Sequence, residues 1–144
     1  MKSLKILIII LLTLLSTTSV VFAGDFDWIR DFNIRAEADL SGFRARMEAR
    51  FRVGDLEIKA VLGDVEKPSD AYILFRFGEM SNQPIDTVLK KYKAQKGKGW
   101  GVLAKSLGIK PGSKDFKALK HSQDLYGDIN KGKGKSKNKG KGKK

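Results

Sequence analysis

The chain contains no cysteine, a single histidine and three prolines. Without cysteine there is no disulfide framework, no thiol nucleophile, no thiolate metal site and no lipid-modified cysteine. The single histidine, His121, has no cysteine and no carboxylate cluster beside it in the chain, a poor basis for a metal site. The serines lack an evident base, and the acids show no pairing suited to proton transfer. No catalytic residue, metal or cofactor is therefore expected. Long apolar runs are missing as well, with one exception at the N-terminus.

That exception follows Met1-Lys2-Ser3-Leu4-Lys5 and runs from Ile6 to Ala23. A basic start, an apolar stretch centred on Ile6–Leu15 and the small-residue ending Val21-Phe22-Ala23 are the marks of a secretory signal peptide over residues 1–23. An uncleaved anchor is the alternative, but Ser16-Thr17-Thr18-Ser19 interrupts a run already near the lower limit for a span. The expected location is outside the cytosol, periplasmic or secreted. Removing the peptide leaves 121 of the 144 residues, enough for one domain over residues 24–126.

The formal net charge of +13 is concentrated at the C-terminal end. Eight lysines and no acid lie between Lys131 and Lys144, so the body without peptide and tail retains only +3. Residues 24–87 carry −4 and residues 88–130 carry +7, an acidic half followed by a basic one.

Alternation dominates the first half of that body. From Phe32 to Leu40 apolar residues occupy even positions (Phe32, Ile34, Ala36, Ala38, Leu40), and from Phe43 to Val53 odd ones. Ser41-Gly42 sits where the parity changes, so a β-hairpin is expected over 31–53. Its register would pair Asp39 with Arg44, Glu37 with Arg46, Arg35 with Glu48 and Asp31 with Arg52 on the outer face. Phe43, Met47 and Phe51 also lie at i, i+4, i+8, the competing helical reading.

Helices are expected over the remainder, 55–121. Asp55 opens one running to about Glu66 with Leu56, Ala60 and Val65 inward, although a third strand is an alternative there. Lys67-Pro68 ends it, and Ser69 caps a buried central helix over Asp70–Ser81. Pro84 suits a first helical position. Ile85, Val88, Leu89 and Tyr92 then recur at helical spacing, as do Trp100, Leu103, Ala104 and Leu107 before the stop at Gly108. Ser113 caps a last short helix with Phe116 and Leu119 inward. Residues 127–144, which alternate lysine with glycine, serine and asparagine from Lys131, have nothing to bury and are expected to be disordered. The fold class is thus α+β: an N-terminal hairpin packed on about five short helices, with a basic tail.

The stretch Lys96–Lys120, KGKGWGVLAKSLGIKPGSKDFKALK, resembles a signature of a family of small exported bacterial proteins of unknown function. In it a Gly-Lys-Gly-Trp-Gly turn leads into an LAK-x-LGIKPGS segment. The preceding DAYILFRFGEMSNQPID, Asp70–Asp86, is similar to that family's upstream block. The resemblance covers about the second half of the mature chain and implies no catalytic residues.

The best local site is Lys96-Gly97-Lys98-Gly99-Trp100-Gly101. Glycines let backbone amides converge where a helix begins and two lysines flank it, which suits an anion, although it is no GxxxxGK[ST] loop. The blander alternative is a tight turn with lysines in solvent and Trp100 in the core. The phrase VLAKSLGI superficially fits a helix-turn-helix, but Pro111-Gly112 occupies the turn and the next helix is short, so specific DNA recognition is not expected. Candidate anion-binding residues are Lys96, Gly97, Lys98 and Gly99 with Lys131, Lys133, Lys135, Lys137, Lys139, Lys141, Lys143 and Lys144, supported by Lys90, Lys91 and Lys93. The expected role is non-enzymatic binding of an anionic membrane surface or polymer in the cell envelope. A protein-interaction or structural module, with the tail serving solubility, is the alternative, and an enzyme a distant third.

Overall fold

The computed structural model describes residues 26–127. The expected signal peptide, residues 1–23, and the lysines Lys131–Lys144 lie outside the described residues. Among those described, every regular element is an α-helix: α1 (Ile29–Ala38), α2 (Leu40–Phe51), α3 (Asp55–Asp64), α4 (Pro68–Ser81), α5 (Ile85–Ala94), α6 (Trp100–Ser106) and α7 (Lys114–His121). None is long and apolar enough to cross a membrane.

The expected α+β class is therefore wrong, and its hairpin is the helical pair α1–α2. Any run of alternate apolar residues also contains residues four apart, and the fold uses only those. Phe32 and Ala36 are buried on α1, and Phe43 and Met47 on α2. The residues between them face away, with Ile34 58% exposed and Ala45 and Ala49 in solvent. Ser41-Gly42 is no hairpin turn. Asp39 caps α2, accepting the Gly42 amide at 2.8 Å and the Ser41 hydroxyl at 3.0 Å. A Cβ on Gly42 would stand 2.0 Å from Asp39 Oδ2, so the cap closes onto a residue without a side chain. None of the four cross-strand ion pairs forms. Arg44 turns to Asp55 at 2.9 Å and Glu37 to Lys67 at 3.4 Å.

Three smaller expectations also change. α3 is a helix, but its buried face carries Ile58 and Val61, while Leu56 is 82% exposed and Ala60 lies in solvent. Its N-cap is Gly54 rather than Asp55. α4 begins at Pro68, two residues earlier than expected, and Ser69 is fully buried instead of capping. The Ser69 amide donates to Asn33 Oδ1 on α1 at 2.9 Å, and Asp70 accepts from the Lys67 amide at 3.2 Å.

α4 is the central element because it alone is apolar nearly all round, with Ala71–Phe75 and Phe77 buried. It packs against α1, α3 and α5, while α2 leans on both α1 and α3. Aromatic rings fill the seams: Tyr72 meets Trp28, Phe32 and Phe51 within 5.1–5.8 Å, and Phe77 meets Trp100 and Phe116 near 6 Å. α6 ends in a Schellman turn, with Gly108 at φ +80° and the Ile109 amide reaching back to the Ala104 carbonyl at 2.9 Å. After α7 the chain returns over the body as Ser122–Gly127. Leu125 enters the core there, and the Tyr126 ring lies 5.2 Å from Phe32. Residues 26–28 are anchored as well. Phe26 is buried, and the Trp28 indole donates to the Leu119 carbonyl at 2.7 Å.

Candidate functional site

The local motif singled out in the sequence forms the turn between α5 and α6. Gly97 and Gly99 take φ of +84° and +88°, which glycine reaches without strain, and Gly99 precedes α6. Trp100 is half-buried and stacks on Tyr92 at 5.7 Å with the rings 13° apart. Lys96 is not free to meet a ligand. Its ammonium pairs with Glu66 at 3.0 Å, a contact that raises the pKa of the lysine. Lys98 stays exposed, and its amide closes the turn on the Gln95 carbonyl. α6 has only seven residues, so little dipole gathers at this turn.

The lysines of α5 are largely spent on the fold. Lys93 pairs with Asp64 at 2.8 Å, and Lys91 donates to the Ser106 carbonyl at 2.5 Å. The Lys93–Asp64 and Lys96–Glu66 contacts stitch the basic half of the chain to the end of α3 and the loop after it, while Lys91 ties α5 to α6. Lys90 and Lys98 remain without an acid partner among the described residues.

A different set of cations is left open. Lys105 on α6, Lys110 in the following turn, and Lys114, Lys117 and Lys120 on α7 have no ion-pair partner among the described residues. All are exposed except Lys120, which is half-buried. Their presentation follows from local chemistry. Ser113 caps α7 by accepting the Phe116 amide at 3.3 Å. That phase sends Phe116 and Leu119 inward, which turns Lys114, Lys117 and His121, at i, i+3 and i+7, outward. Asp115 is the single acid on α7. His121 is bonded to Asp27 at 2.7 Å, with both side chains in solvent. The +7 of the second half pointed to a basic surface in the sequence. Which lysines supply it was not readable, because the neutralising acids come from the other half of the chain.

A second polar constellation had no signal in the sequence. The Tyr72 hydroxyl donates to Asp124 Oδ1 at 2.7 Å and accepts from the Asp124 amide at 3.2 Å. Arg50 Nε donates to Asp124 Oδ2 at 2.7 Å, and its two terminal nitrogens grip Glu79 at 2.7 and 3.2 Å. Arg76 joins through Nη1 to Glu79 at 2.7 Å. Burial acts to raise the Asp124 pKa, but the bonds from Tyr72 and Arg50 and the charges of Arg50 and Arg76 outweigh it and hold the carboxyl below its usual range. Burial pushes the Tyr72 phenol upward, and Glu79 chiefly raises Arg50. Together these groups fasten the Ser122–Gly127 segment to α2 and α4.

Comparison with protein-family models, curated proteins and solved structures finds no match. The site has to be read from its own chemistry.

Proposed function

We propose that this protein is a non-enzymatic, exported binding protein that engages an anionic surface or polymer. The contact runs through the lysines of α6 and α7 together with Lys131–Lys144. The observation that carries the reading is the division of the lysines. Lys91, Lys93 and Lys96 are consumed by internal contacts, whereas Lys105, Lys110, Lys114, Lys117 and Lys120 face no acid partner among the described residues. A run of uncompensated ammonium groups attracts polyanions over about a Debye length, ~8 Å at physiological salt. The likeness of Lys96–Lys120 to exported proteins gives the same stretch an envelope setting. The competing module reading has less support. Among the described residues the exposed large apolar side chains, Ile34, Leu40, Leu56 and Val102, are scattered over four helices, and single ones are ordinary on any surface.

The test is binding to anionic vesicles and to heparin across a salt series. Parent, a deletion of residues 131–144 and the quadruple variant K105Q/K110Q/K114Q/K117Q are compared. Each change should weaken binding and flatten its salt dependence, and the combination should abolish it. A quadruple variant that binds like the parent would remove the helical face from the proposal.

A further inference from the structure

Histidine is the side chain whose ordinary charge change falls between about pH 5 and 8. This chain holds one histidine and no cysteine, and the fold sets that histidine in the open lysine row. Ser113 fixes the phase of α7, Phe116 and Leu119 turn inward, and His121 faces outward with Lys114 and Lys117. Its Nδ1 meets Asp27 Oδ2 at 2.7 Å. Asp27 is placed there by the backbone. Its amide donates to the Lys120 carbonyl at 3.0 Å, and the neighbouring Trp28 indole donates to the Leu119 carbonyl. The segment before α1 thus sets a carboxylate against the end of the lysine row.

The protonation of His121 decides the sign of that end. A neutral imidazole donates Nδ1–H to Asp27 and leaves the pair with a full negative charge, which opposes an incoming anion. An imidazolium makes the pair neutral and adds Nε2–H as an outward donor. The neighbouring charges do not take over this role. On α7 itself, Lys117 and Lys120 are cations, and Asp115, six residues back, lies on another side of the helix. α7 packs against the segment of Phe26 and against α4, through Phe116. On α4, Arg76 is bonded to Glu79 and Asp70 to the Lys67 amide. In the segment that follows α7, Asp124 is held by Tyr72 and Arg50. Arg76 and Asp124 line a cleft that His121 does not line.

Resting on the lysine-face reading, we infer that His121 and Asp27 make that face proton-sensitive. Protonation of His121 cancels the Asp27 charge, so the face holds a polyanion more tightly as pH falls from about 8 to about 5.5. Binding and protonation reinforce one another, since each favours the state the other needs.

The experiment is calorimetric titration of the full chain with heparin at fixed ionic strength, at pH 8 and at pH 5.5. Heparin sulfates stay ionised throughout, so the change in charge belongs to the protein. The parent should bind about 5-fold more tightly at the acid end, the weight of one basic charge at an anionic surface. H121Q keeps a donor for Asp27 but cannot be protonated, and should bind at both pH values as the parent does at pH 8. D27N removes the opposing charge and should bind about 5-fold more tightly than the parent at pH 8. Both side chains lie in solvent, so each variant should melt like the parent. Binding that is flat with pH, a response that survives in H121Q, or a D27N variant no tighter than the parent at pH 8 would overturn the inference and leave the lysine face standing. Absence of heparin binding at both pH values would remove the lysine face and the inference together.

Discussion

Asp124→Asn should destabilise the protein at neutral pH and lose most of that effect in acid. Asp124 is the hub that joins the Ser122–Gly127 segment to Tyr72 on α4 and Arg50 on α2. Asparagine keeps the shape but turns an amide donor toward either Arg50 or Tyr72, both of which already donate. A hydrogen bond to a charged partner contributes about 1.5–3 kcal/mol, and an exposed ion pair about 0–1. Here the Asp124 side chain is 50% exposed and that of Arg50 27%, so the expected cost lies between, at about 1–2 kcal/mol. In a body of this size that lowers Tm by roughly 5–10 °C. The pH dependence has a definite sign. The folded carboxyl titrates below its unfolded counterpart, whose pKa is near ~3.9. Its contribution is complete above about pH 5 and fades as pH falls through the folded value. Urea denaturation of parent and variant at pH 7 and at pH 3 measures both parts. A variant within about 0.5 kcal/mol of the parent at pH 7, the range of a neutral surface change, would refute the reasoning, as would a gap that stays full-sized in strong acid.

Tyr72→Phe removes the hydroxyl that both donates to and accepts from Asp124. It should cost about 1–2 kcal/mol, and its combination with Asp124→Asn should be less than additive in a double-mutant cycle. Leu74→Ala, at a fully buried position, should cost about 2–5 kcal/mol, whereas Leu56→Ala should be nearly neutral; thermal melts separate the two. Arg52 ends α2 at φ 57°, in the left-handed region, so Arg52→Gly should leave stability unchanged or raise it by up to about 1 kcal/mol. Asp39→Ala should lower the melting temperature by removing the α2 cap, while NMR secondary shifts remain helical over α1 and α2. Strand-type shifts across residues 31–53 would contradict the fold itself.

The second half of the body was readable because its signals are local. The spacing of Ile85, Val88, Leu89 and Tyr92, the serine at position 113 and the glycine at 108 each act within a turn or two of helix. Segment 31–53 misled because period two is a superset of i, i+4, so Phe32/Ala36 and Phe43/Met47 satisfy both geometries. The available correction lay in residue type. The segment is built of Ala, Arg, Glu and Met, which favour helix, and has few of the β-branched residues that strands prefer. The four charge matches were coincidental in this register, since arginines reach whichever acids the packing brings near. α3 failed in a similar way: Leu56/Ala60 and Ile58/Val61 are both apolar stripes, and only the position of α4 selects the second.

The sequence by itself determined the lack of thiol chemistry, the excess of lysine in the second half, and the breaks at Pro68, Pro84 and Gly108. These are properties of composition or of backbone dihedrals, set by a residue and its immediate neighbours. Tertiary structure decided which face of α3 is buried, which lysines are neutralised by Asp64 and Glu66, and that Tyr72, Arg50, Glu79, Arg76 and Asp124 join in one network. Burial, ion pairing and hydrogen bonding depend on separation in space. Tyr72 and Asp124 stand 52 residues apart in the chain, and only the packing of α4 against the returning segment brings them to 2.7 Å.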